Sequence, residues 1–207
     1  MTQKDYLKDI SEIKNIMNRS TRFISLSGVS GILAGVYALV GGLIAYSLLS
    51  DSGGEDYDSY TMLVSSLELK LIGIAIIVAL LSGITGYILT KRKADKNNEK
   101  IWTPASRQLL ISFLMPLVTG GIFALLLVNQ GYYGLIAPVT LIFYGLSLIN
   151  ASKHTLSLVR YLGMLEVLLG LAAMLFIGRG LFFWMAGFGI LHILYGTLIY
   201  FKLDNRK

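Results

Sequence analysis

The chain has no cysteine, two histidines and three prolines in 207 residues. The missing cysteine excludes disulfides, thiolate metal centres and a cysteine nucleophile, and leaves the redox compartment open. His154 falls at a polar turn and His192 in the middle of an apolar run, so they do not make paired axial haem ligands. No metal and no cofactor is implied. There is no Walker loop, no HExxH, no serine elbow and no GxGxxG following a strand. No polar segment is long enough for a catalytic domain, so no catalytic residue is assigned and an enzyme is not expected. Charged residues make up only 14% of the chain, with a net charge of +6. The bases sit between apolar runs rather than on one face, which argues against nucleic acid as a partner.

What the sequence has in excess is apolar length. Hydrophobic residues are 55% of the chain and mean hydropathy is +0.67, beyond the range of an ordinary soluble domain. Six long apolar runs are present, at Phe23–Leu49, Leu69–Thr90, Leu109–Val128, Tyr132–Ala151, Leu156–Ile177 and Leu181–Tyr200. Each is close to the roughly 20 residues that a helix needs to cross the hydrocarbon core. Open strands cannot satisfy their backbone in lipid, so the runs are expected to be helices. The fold class is therefore all-α: an integral membrane bundle of six transmembrane helices, preceded by an N-terminal amphipathic cytosolic helix. The parts are residues 1–22 as the surface helix, 23–201 as the membrane domain and 202–207 as a cytosolic tail. The short connections Asn129-Gln130-Gly131 and Gly178-Arg179-Gly180 make runs 3–4 and 5–6 antiparallel hairpins.

Orientation follows from the bases. Lys4, Lys8, Lys14, Arg19 and Arg22 precede run 1, and Lys91, Arg92, Lys93, Lys96, Lys100 and Arg107 lie between runs 2 and 3. Lys153 and Arg160 flank the 4–5 turn, while Lys202, Arg206 and Lys207 close the chain. Lys70 and Arg179 remain for the other side. This alternation places both termini in the cytoplasm. Trp102 at one interface, and Phe182, Phe183 and Trp184 at the other, suit the aromatic belts. The sequons at Asn18 and Asn150 would then face the cytosol and carry no glycan.

The first segment carries Tyr6, Ile10, Ile13 and Met17 at helical spacing, with charged and polar residues around the rest. It reads as a helix lying on the membrane surface, or as one docking a cytosolic partner or a second copy of the chain. The stretch Asn18-Arg19-Ser20-Thr21-Arg22-Phe23-Ile24-Ser25-Leu26-Ser27-Gly28, leading into a glycine-striped helix, resembles the start of a group of small bacterial multi-spanning membrane proteins of unknown function. The resemblance covers the first quarter of the chain. It implies a bacterial cytoplasmic membrane and carries no activity with it. Membrane lipids are the one partner that composition alone implies.

Small residues mark the expected helix contacts. Run 1 has Gly28, Gly31, Gly35, Ala38 and Gly42 at alternating spacings of three and four, a stripe that suits close backbone approach within the bundle or between copies. Pro116 and Pro138 are expected to bend runs 3 and 4. A weak tandem repeat is suggested by Gln130-Gly131 and Arg179-Gly180, with Tyr144-Gly145 and Tyr195-Gly196 later in the same runs.

Two titratable residues lie near mid-membrane, each in such a small-residue setting. Gly163, Glu166 and Gly170 are spaced three then four apart, as are Gly189, His192 and Gly196. Counted from the basic ends of their runs, Glu166 and His192 are both about 13 Å deep at helical rise. A lone carboxylate there costs several kcal/mol, so it is expected to be protonated, paired or facing water. One reading is a proton- or cation-binding site, with Glu166 titrating, His192 as partner and Tyr144 or Tyr195 contributing a hydroxyl. The other is a neutral Glu–His hydrogen bond that pins run 5 to run 6. The acids Asp51, Glu55, Asp56, Asp58 and Glu68 read as a solvated loop.

Overall fold

Lipid offers no hydrogen-bond partner to a bare backbone, so a chain this apolar closes its backbone bonds within its own helices. The computed structural model describes residues 27–51 and 60–204, and every regular element among them is helical. The N-terminal surface helix, the Asn18 sequon and the acids Glu55, Asp56 and Asp58 lie outside the described residues. Six of the helices are long and apolar enough to cross a membrane.

The first span is α1 (Gly28–Asp51). The second, α2 (Tyr60–Lys96), runs 37 residues, about 55 Å at helical rise, and so overreaches its apolar run at both ends. Asp51, the last residue of α1, and Glu68 therefore lie on helices and not in a solvated loop. The helix stops at a Schellman turn: Glu99 N–H bonds Ala94 O and Asn98 N–H bonds Asp95 O, with Asn98 at φ 54°. The third span, α3 (Pro104–Asn129), starts at a capping box in which Thr103 and Ser106 each satisfy the other's backbone N–H.

The fourth span opens with a 3₁₀ turn (Tyr133–Leu135) and continues as α4 (Ile136–Ala151). Pro138 falls in the first turn of α4, where a missing N–H breaks no bond of the α-helix, so the expected mid-helix bend is not required there. Pro116 does lie inside α3. The fifth span is α5 (Ser157–Leu175). The sixth is not one regular helix. α6 (Gly180–Trp184) widens into a π-helical stretch (Met185–Leu191), returns to α7 (His192–Ile199) and widens again over Tyr200–Asp204.

The packing inverts the pattern of a water-soluble core. The buried apolar positions are mostly small, among them Ala38, Ala124, Ala151 and Ala173, while Leu125, Leu168 and Leu198 are exposed. Small residues inside and large aliphatics outside is the arrangement that suits helices surrounded by hydrocarbon. The third span lies on the fourth, where Asn150 Nδ2 donates to Ser112 O at 2.9 Å. The fourth lies on the fifth with Gly145 against Gly163, and the sixth lies on the first with Gly196 against Gly28, Gly31 and Ile32. The second span lies on the first, through Gly41 against Ile74 and Val78, and through Tyr37 and Thr85 at 3.3 Å. The α1 stripe is thus consumed inside the molecule: Gly28, Gly31 and Gly35 meet the sixth span and Gly42 meets Met185. Helices 5 and 6 touch as their short turn requires, but each takes its main partner elsewhere.

Candidate functional site

The glycines flanking Glu166 and His192 do not face the partner that the two side chains face. A step of three residues turns a helix by about 300°, leaving Glu166 some 60° away from the line of Gly163 and Gly170. Those glycines meet the fourth span, Gly163 at Gly145 and Ile149, Gly170 at Pro138 and Ile142. Glu166 is thereby aimed past helix 4 toward helix 6. Gly189 and Gly196 likewise admit the first span, at Leu39 and Ile32, and His192 is aimed the other way. Glycine contacts to the fourth and first spans hold the two titratable groups against each other.

Glu166 is fully buried and His192 is 7% exposed. His192 Nδ1 lies 3.0 Å from Gly187 O and 3.4 Å from Glu166 Oε1, while Nε2 lies 2.7 Å from the Tyr144 hydroxyl. A carbonyl can only accept, so Nδ1 carries the proton, Nε2 accepts and Tyr144 donates. That assignment satisfies both imidazole nitrogens without Glu166. Neither carboxylate oxygen has a hydrogen-bond partner among the described residues. Tyr144 is held in place by an edge contact from Phe113 and by Phe188, whose ring centroid is 4.8 Å away; Phe188 in turn stacks on His192.

Gly187 is the residue that lets the carboxyl in, since a Cβ there would collide with Glu166 Oε2 and come within 2.5 Å of Leu141 Cδ2. It sits in the π-helical stretch, a winding that recurs at functional sites. Nothing in the residue spacing marks Gly187, which stands off the three-and-four pattern of Gly189, His192 and Gly196. Tyr195 is not brought to the site. It packs against the cluster of Leu148, Val159 and Leu162, one turn beyond His192.

Two proton arrangements keep this site free of net charge, and each leaves something unpaired. With neutral imidazole and protonated Glu166, the carboxyl group has no partner. With carboxylate and imidazolium, Nδ1 must divide its proton between Gly187 O and Oε1, and Nε2 becomes a donor that forces Tyr144 from donor to acceptor. The two arrangements differ by one proton between Glu166 and His192, whose Oε1 and Nδ1 are 3.4 Å apart. Among the described residues no cluster of three or more metal-ligating side chains occurs.

A scan of protein-family models, a search of curated proteins and a search of solved structures each return no match to this chain.

Proposed function

We infer that this is a polytopic protein of a bacterial cytoplasmic membrane, with both termini cytoplasmic, in which Glu166, His192 and Tyr144 bind and exchange a proton as the core of a small proton- or cation-linked carrier. The observation that carries the reading is the surplus carboxyl. A structural pin should hydrogen-bond what it pins, yet His192 is satisfied by Gly187 and Tyr144, and Glu166 is buried with neither oxygen hydrogen-bonded, its Oε1 only approaching Nδ1 at 3.4 Å. A buried polar group without a partner costs about 1–3 kcal/mol, more if charged. An intramembrane acid kept at that cost belongs to a pathway. No enzymatic activity is proposed. The other reading, a regulatory or scaffolding protein acting through its N-terminal helix or its α1 stripe, loses part of its surface because that stripe is already covered by the sixth span. Contact with a cytosolic partner or a second copy would then fall to residues 1–22.

The test is pH-difference infrared spectroscopy of the reconstituted protein against Glu166→Gln. The expected result is a protonated-carboxyl band that changes as bulk pH is stepped and is missing from the variant, together with loss of proton-linked flux. A band indifferent to pH would mean a sealed group and would end the carrier reading.

A further inference from the structure

A separate chamber lies between the helices on the half of the molecule opposite the basic loops. Its volume is 630 Å³, within the range of ligand sites. Gly41 and Ala45 of the first span form one wall and Leu71 and Ala75 of the second another. Ala137 of the fourth span and Trp184 of the sixth complete it. Apart from the Trp184 ring the lining is aliphatic and glycine save at the rim, where the Tyr133 hydroxyl hydrogen-bonds Glu68. From Leu67 at the rim to Ala75 at the floor the second span descends about 12 Å.

The chamber exists because the second span is held differently from the others. It lies along the first span, and across the gap it meets the fourth at the Tyr133–Glu68 contact. Ala75 is exposed although it lines the chamber. Both flanking helices are long and apolar enough to lie in a bilayer, so a cleft between them faces hydrocarbon. Aliphatic walls, depth along the helix axes and polar groups confined to the rim match an amphiphile with its chain inward and its head at the interface.

We propose that this chamber binds the hydrocarbon chain of a membrane amphiphile, inserted between the second and fourth spans. The proposal goes beyond the proton site and does not depend on it. Trp184 lines the chamber, and the other tryptophan, Trp102, is exposed at the far end, so Trp102→Phe leaves one fluorophore reporting on the site.

The experiment titrates that single-tryptophan protein, in vesicles of unbrominated phosphatidylcholine, with stearic acid brominated at mid-chain. A second arm uses phosphatidylcholine brominated in the same position. Chain binding gives quenching of Trp184 that saturates at a small mole fraction of quencher, whereas ordinary lipid contact grows in proportion to it. Saturation with the fatty acid, against quenching by the brominated phosphatidylcholine that only grows in proportion, identifies a single-chain amphiphile as the occupant. Ala75→Phe should weaken the saturable component about tenfold, and Ala79→Phe, one turn on and outside the lining, should leave it intact. Ala75→Leu gives a graded second variant should the larger side chain prevent folding. Proportional quenching in both arms, or saturation that ignores both Ala75 variants, overturns the proposal. A chamber filled by another part of the chain or by a second copy would give that same proportional result.

Discussion

At Glu166 the question is whether a buried carboxyl without a partner serves stability or chemistry, and the two answers give opposite mutational signs. Breaking a buried pair that holds the fold costs about 3–5 kcal/mol, because it strands the remaining charge. Removing an unpartnered acid instead relieves a desolvation cost. His192 keeps Gly187 O and the Tyr144 hydroxyl in either case, so nothing is stranded when Glu166 goes. Glu166→Leu is therefore expected to leave thermal stability in detergent unchanged or raised by about 1 kcal/mol. A fall of more than about 3 kcal/mol would instead make Glu166 the pin between the fifth and sixth spans. Periodicity and depth were enough to pick out Glu166, His192 and Tyr144, because apolar runs make isolated polar residues conspicuous. They were not enough to separate Tyr144 from Tyr195. Both tyrosines precede a glycine at similar depth, and what divides them is rotation: Tyr144 is on the helix that His192 faces, while Tyr195 shares a helix with His192 and turns toward Leu148.

Among the helices, glycine contacts decide who neighbours whom. A Cβ at Gly196 would stand 2.5 Å from Ile32 N and 2.8 Å from Gly28 O, and backbone atoms have no rotamer by which to yield. At Gly83 nothing lies within 4 Å. Gly196→Ala should therefore cost about 1–3 kcal/mol by forcing the first and sixth spans apart, and Gly83→Ala should be neutral or stabilising by up to about 1 kcal/mol. Thermal melts of the two variants in one detergent decide it, and equal effects would refute the close 1–6 contact. The small-residue spacing in α1 announced a contact without naming the partner, since a stripe fits any helix that lacks bulk. Chain order told only part of the packing: the Gly178–Gly180 turn does set helices 5 and 6 against each other, but Gly163 draws helix 5 more closely to helix 4 and Gly196 draws helix 6 more closely to helix 1. The widened winding at Met185–Leu191 had no periodic signature at all.

For the molecule as a whole, the antiparallel alternation of spans brings Asn98 and Lys153 to one end and Gln130 and Arg179 to the other. All four are exposed. Which end faces the cytoplasm depends on the cost of translocating bases, because short loops rich in Lys and Arg are retained on the inner side. The loop joining the second and third spans holds Lys100 between the basic end of α2 and Arg107 in the first turn of α3, while the Gln130 turn has no base and the Gly178 turn has one. The missing cysteine makes the argument testable in living cells, since any introduced thiol is the only one present. In intact cells a membrane-impermeant maleimide should label Gln130→Cys and Arg179→Cys, and should reach Asn98→Cys and Lys153→Cys only after permeabilisation. The reversed pattern would place the termini outside and set the chamber beside Trp184 against the inner leaflet. Under the expected orientation, an amphiphile entering between the second and fourth spans comes from the outer leaflet, and Glu68 and Tyr133 meet its head at the outer interface. The Glu166–His192 pair then lies beyond Trp184 and Phe188, whose ring centroids are 4.9 Å apart, so an aromatic pair stands between the chamber and His192.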